Sequence, residues 1–155
     1  MAGLRDYRDF DVWKLTNEVR VRIWQMTARP GFREHLWLRT QLRKAANSAC
    51  ANGGEGFSRY RPREFARFLD IVKGSLTEII EHMDDVLALQ LGSKAEVDEI
   101  SVYCRRARGA ATGLIRYLRS INAAFEPDRV HETRAPPTKT GGKPERAKAN
   151  RQSEP

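Results

Sequence analysis

Residues 47–65 read NSACANGGEGFSRYRPREF, with Gly53, Gly54 and Gly56 followed closely by Arg59, Arg61 and Arg63. Glycines ahead of cations suit phosphate binding, because bare backbone N–H groups can approach the oxygens. The Walker form of such a loop, G-x-x-x-x-G-K-[ST], runs from a buried strand into a helix. Here no Lys-Ser or Lys-Thr follows, and the residues before the glycines have a helical period. The stretch is expected instead to end one helix and begin another. Gly56 would take the left-handed position just past the helix end, with Phe57 folded back on the preceding turn.

Rows of guanidinium groups offer a second chemistry, contact with a phosphate backbone. Arg105, Arg108, Arg116 and Arg119 fall within about 80° of one another on a helix and make a stripe about 20 Å long. Arg39, Arg43, Lys44, Arg59, Arg61, Arg63 and Arg67 are placed around the junction of two further helices. Phosphate contacts are expected from Arg39, Arg43, Lys44, Arg61, Arg63 and the stripe; nothing here reads bases, so binding would tolerate sequence and weaken with salt. The competing reading is a solvated face, its cations paired with Asp70, Glu78, Glu81, Asp84 and Asp85.

Catalysis and metal binding find less support. Glu78, His82 and Asp85 share a helix face, but a di-metal bundle needs Glu-x-x-His on each of two helices, and the other histidines are His35 and His131. Cys50 and Cys104 have no histidine at fixed spacing and read as core thiols in a reducing cytosol. No catalytic residue, metal or cofactor is expected.

The elements that must carry these residues follow from apolar spacing. Phe65, Leu69, Val72, Leu76, Ile79, Met83 and Val86 recur at alternating steps of four and three, a heptad seam, with Pro62 suited to that helix's first turn. Val97, Ile100, Cys104, Ala107, Ala111, Leu114, Leu118 and Ile121 repeat the pattern after a Ser93/Glu96 capping box. An earlier helix turns Val12, Val19, Ile23 and Met26 inward and stops at Arg29-Pro30-Gly31, and a second carries Leu38, Leu42, Ala45, Ala49 and Asn52. Short connections make neighbours antiparallel, so the predicted fold is all-α, an up-down-up-down four-helix bundle over residues 1–126. Residues 127–155 hold seven Lys and Arg against four Asp and Glu with Val130 as their only large aliphatic, and are expected to be a disordered basic tail. The +8 balance biases toward a polyanionic partner. The absence of a long apolar run predicts a soluble, cytoplasmic protein that does not enter a membrane.

Several residues in order carry a family resemblance: Phe10, Val12 and Trp13; Gln41-Leu42-Arg43-Lys44-Ala45-Ala46 with Ser48, Asn52 and Glu55-Gly56-Phe57; Glu64-Phe65 with Arg67-Phe68-Leu69; and Gly74-Ser75-Leu76 with Glu78. Over roughly residues 8–120 the chain resembles the four-helix bundle proteins of the 23S rRNA intervening-sequence family. The resemblance implies an antiparallel bundle, commonly a homopentamer, encoded within insertions in ribosomal RNA genes and elsewhere, with no enzymatic activity. The accessory variability proteins of diversity-generating retroelements are similar to that family and bind nucleic acid and a reverse transcriptase. Where members usually carry Asn-Ile-Ala-Glu-Gly, this chain has Asn52-Gly53-Gly54-Glu55-Gly56. Two glycines for good helix formers cost roughly 1 kcal/mol each, so this helix end should fray. The polar signature Asn52 and Glu55 is either part of a binding surface where subunits converge or structural, Asn52 hydrogen-bonding across the bundle.

Ala45, Ala46, Ser48, Ala49, Cys50 and Ala51 make the second helix small nearly all round, and Phe68, Ile71 and Ser75 lie outside the third helix's seam. These faces predict self-association, with Ala46, Cys50, Phe68, Ile71 and Ser75 at the interface. RNA or DNA, RNA preferred, is the expected partner; the alternative is a protein-interaction scaffold without nucleic-acid binding.

Overall fold

The seam residues Phe65, Leu69, Val72, Leu76, Ile79, Met83 and Val86 are all buried, so their 4-3 spacing does turn one helix face inward. The computed structural model describes residues 6–59 and 61–125; the tail expected over 127–155 lies outside them. Among the described residues there are four α-helices and no strand: α1 Asp11–Thr27, α2 Leu36–Ser58, α3 Pro62–Ala88 and α4 Lys94–Phe125. Short 3-10 turns, Tyr7–Asp9 and Pro30–Arg33, precede α1 and α2.

Local chemistry sets the ends. Pro62 opens α3 at the position where its missing N–H has no partner to lose. At α4 the capping box forms: the Ser93 N–H donates to Glu96 Oε2 at 3.0 Å and the Glu96 N–H to Ser93 Oγ at 3.3 Å. Between them, α3 closes with a left-handed residue, Gln90 at φ 55°. The Gln90 N–H donates to the Leu87 carbonyl at 3.0 Å and the Leu91 N–H to the Val86 carbonyl at 2.9 Å, the paired bonds of a Schellman turn.

Consecutive helices pack on each other, and α1 packs on α4, the pairing expected of an up-down-up-down bundle. At one end the Arg29 guanidinium, just past α1, binds the Glu96 carboxylate at the start of α4. At the other, Phe10, Phe57 and Phe65 meet edge to face with centroids 5.5–6.2 Å apart, joining the start of α1 to the α2–α3 junction. These will be called the upper and lower ends.

Three expectations change. The glycines do not end α2, which runs through them to Ser58. Gly56 is not a left-handed cap: it lies inside the helix, where a Cβ would come within 2.7 Å of both Phe65 Cδ2 and Phe68 Cβ. Close packing of α3, rather than backbone conformation, is what calls for glycine there. On α4, Ile115 is buried while Leu114 and Ile121 are only partly so. The core positions Cys104, Ala107, Ala111, Ile115 and Leu118 step by three, four, four and three, as a helix of about 3.6 residues per turn must when it drifts from a strict heptad.

The second small face of α2 is also accounted for. Ala46, Cys50 and Ser75, expected at a subunit interface, are buried within the single chain. Cys50 lies beside Thr16 and Arg20 of α1, and Ser75 Oγ of α3 is 2.9 Å from Ser48 Oγ. In a bundle α2 has two neighbours, and its small residues serve both.

Candidate nucleic-acid interface

On α1 the residues beside the core stripe are Trp13, Asn17, Arg20 and Trp24, again at steps of four, three and four. They border α2, whose facing positions include Arg43, Asn47, Ala51 and Gly54. Two open clefts result, of about 620 and 570 Å3, meeting at Asn47. Together they form one groove along the α1–α2 face.

The upper cleft is lined by Trp24, Leu36, Arg39, Thr40, Arg43, Lys44 and Asn47. The Arg43 guanidinium lies 4.2 Å from the Trp24 ring centroid, and its Nε donates to Thr27 Oγ1 at 2.8 Å. Thr27 Oγ1 in turn donates to the Ile23 carbonyl at 2.6 Å, and Trp24 Nε1 donates to Asn47 Oδ1 at 3.3 Å. Arg43 and Trp24 are thus each held by a second bond. Burial, and then the neighbouring charge of Arg39, lowers the proton affinity of Arg43. Among the described residues, no carboxylate lies within 4.0 Å of a charged nitrogen of Arg20, Arg39, Arg43 or Lys44. The upper cleft is a cluster of like charges without a counter-ion among the described residues.

The lower cleft adds Arg8, Tyr7, Trp13 and Arg20. Tyr7 meets Trp13 edge to face at 5.7 Å and lies against Gly54, where a Cβ would be 3.3 Å from the Tyr7 ring. Arg20 Nη2 donates to Asn17 Oδ1 at 2.7 Å. The acids nearby have partners: Glu55 pairs with Arg59, and Asp6 with Arg8.

The other expected phosphate contacts lie elsewhere. Arg39, Arg43 and Lys44 are not at the α2–α3 junction; the run of α2 from Arg43 to Ser58 alone is about 22 Å. Arg61 and Arg63 stand exposed at the lower end, Arg61 with Glu64 at 3.4 Å and at the rim of a small apolar cavity lined by Phe10, Phe57 and Phe65. On α4, Arg105, Arg116 and Arg119 are exposed and Arg108 partly so. Arg119 reaches Asp70 of α3 at 3.5 Å; Arg105, Arg108 and Arg116 have no ion pair among the described residues. Since α1 packs on α2 and α4 but α3 completes the square, this α3–α4 side is opposite the groove. Of the acids proposed as partners for the stripe, Glu78 and Asp85 instead flank His82, at 3.9 and 3.1 Å.

The polar signature is local. Asn52 Nδ2 donates to the Ser48 carbonyl at 2.8 Å and to Ser48 Oγ at 3.2 Å, so it reaches α3 only through the Ser48–Ser75 pair. Of the expected interface residues Phe68 is half-buried under the Arg59 guanidinium and Ile71 is exposed. Among the described residues Leu36 and Trp37 are the most exposed large apolar side chains, at 60% and 63%.

Burial pushes the Cys104 thiol up to about 12 and also raises Cys50. Among the described residues no three His, Cys, Asp or Glu side chains gather as metal ligands, and no helix is long and apolar enough to cross a membrane.

Of the groove residues, Trp13 entered the sequence reading only through the family resemblance, and Arg20 and Trp24 did not enter it. Their signal was present as a second 4-3-4 stripe on α1. Compared with known proteins, residues 8–112 match the family model described as 23S rRNA-intervening sequence protein. No curated protein matches the chain.

Proposed function

From the premise that this chain belongs to the 23S rRNA-intervening sequence protein family, we propose that it is a non-enzymatic, oligomeric bundle that binds nucleic acid in the cytoplasm. Its phosphate contacts come from half-buried Arg39 and Arg43, exposed Lys44 and the arginines of α4, and RNA is favoured because the family is named for an insertion in ribosomal RNA. One observation carries the reading: Arg39, Arg43 and Lys44 share a cleft with no carboxylate beside them among the described residues. Burial, and then the charge of Arg39, lowers the proton affinity of Arg43, and a phosphate between the two guanidinium groups would offset that repulsion. Arg105, Arg108 and Arg116 support a second contact on the far side.

The test is retention of labelled RNA across a salt series by two variants, one with Arg39, Arg43 and Lys44 replaced by Ala and one with Arg105, Arg108 and Arg116 replaced. The groove variant is expected to lose about tenfold or more in affinity at low salt and to show a shallower salt dependence. Unchanged binding by both variants, with helicity intact, rejects the reading.

The exposed Leu36, Trp37 and Ile71 favour a second reading, a scaffold whose ligand is another protein. It becomes the better one if the unaltered protein retains neither RNA nor DNA.

A further inference from the structure

We propose that the α1–α2 groove takes single-stranded nucleic acid, with a base stacked on Trp24 and the phosphates following Arg20, Arg39, Arg43 and Lys44. The inference deepens the nucleic-acid reading above and rests on it.

Phosphate contact alone accounts for the cations but not for the aromatic rings among them. Trp24 keeps 44% of its surface in water, in the middle of the basic run. It is held there by Arg43 over its face and by Asn47 at its indole nitrogen. A partly exposed indole with its ring plane fixed is a stacking platform, and every base has a face to offer it. Trp13, which lines the lower cleft, stands eleven residues earlier on the same side of α1, about 16 Å along the axis. A duplex keeps its bases stacked inside and would present only phosphate and sugar to these rings; a single strand presents both. The groove therefore combines the two components that single-strand binding uses, a charged track and aromatic platforms, on one face of the molecule.

The experiment uses the full chain with fluorescein-labelled oligouridylate and, separately, a blunt RNA duplex of equal length. Affinities are measured over a salt series for the unaltered protein, Trp24→Ala and Trp24→Phe. Tryptophan emission is followed in a Trp13→Phe/Trp37→Phe background. Tighter binding of the single strand is expected, with a log–log salt slope of about −3 for four neutralised phosphates. Trp24→Ala should weaken single-strand binding by about tenfold and duplex binding by much less, while Trp24→Phe retains most of the single-strand affinity. Emission from Trp24 should be quenched as the oligonucleotide binds.

Equal single-strand affinity for the unaltered and Trp24→Ala proteins, or equal losses on both probes, overturns the stacking assignment and leaves nucleic-acid binding standing. Binding of neither probe by the unaltered protein overturns both. If groove substitutions change the sedimentation mass but not RNA affinity, the groove belongs to a second copy of the chain and the proposal fails.

Discussion

Gly56 shows how one atom can decide a position. Alanine is the better helix former by about 1 kcal/mol, yet at Gly56 its Cβ would sit 2.7 Å from Phe65 and from the Phe68 Cβ, which cannot swing away without moving α3. Gly56→Ala is therefore expected to destabilise the protein by about 1–3 kcal/mol, the range for overpacking. Gly53 has no atom within 4 Å of its added Cβ, so Gly53→Ala should stabilise by up to about 1 kcal/mol. Urea unfolding followed by circular dichroism checks both, and a gain from Gly56→Ala would refute the packing account. The sequence marked these glycines as a helix end because propensity is the only local information they carry. The close approach at Gly56 belongs to a partner helix and cannot be read from α2 alone. Conversely, Gln90 takes a left-handed conformation that its residue type gives no reason to expect.

At the level of elements, the upper end is tied by Arg29 and Glu96. The Arg29 guanidinium, with the Ser93 N–H, holds the Glu96 carboxyl down at about 2, against its usual 4.5. A depressed carboxyl favours the folded state wherever it is charged there, so this contribution is complete above about pH 4.5 and drains away toward pH 2. Because the Glu96 side chain is 36% exposed, solvent screening limits the contribution to about 1 kcal/mol. Denaturant midpoints measured from pH 6 to pH 2 should fall less steeply for Glu96→Gln than for the unaltered protein. An identical pH profile would remove the pair from the account. The capping box and the α3 seam were legible because each is written within one segment. The α4 seam was legible to Ala111 and again at Leu118; between them the core takes Ile115 in place of Leu114, where a strict heptad and a straight helix part company. The groove was half legible: Arg39, Arg43 and Lys44 stood out by charge. Their aromatic companions on α1 did not, because a count of core positions assigns each helix only one stripe.

For the whole molecule, the expected interface narrows to the surface left uncovered. Ala46, Cys50 and Ser75 are consumed by the bundle's own packing, whereas Ile71 at 43% and Trp37, beside His82 of α3, remain exposed. We expect the chain to self-associate through this α2–α3 surface and Ile71→Arg to lower the sedimentation mass while leaving helicity unchanged. A mass of one chain for the unaltered protein across micromolar concentrations would reject association. Such a surface was only partly legible, since which small residues face a neighbouring helix and which face solvent depends on the order of packing around the square. That order has a further consequence. Three of the four helix pairings join segments adjacent in the chain, through connections of a few residues. Closing such short loops costs little entropy, and this wiring belongs to proteins that fold in microseconds to milliseconds. The α1–α4 seam, where Arg22 meets Glu99 and Arg29 meets Glu96, joins the two ends of the domain and is the one pairing that must wait for the rest.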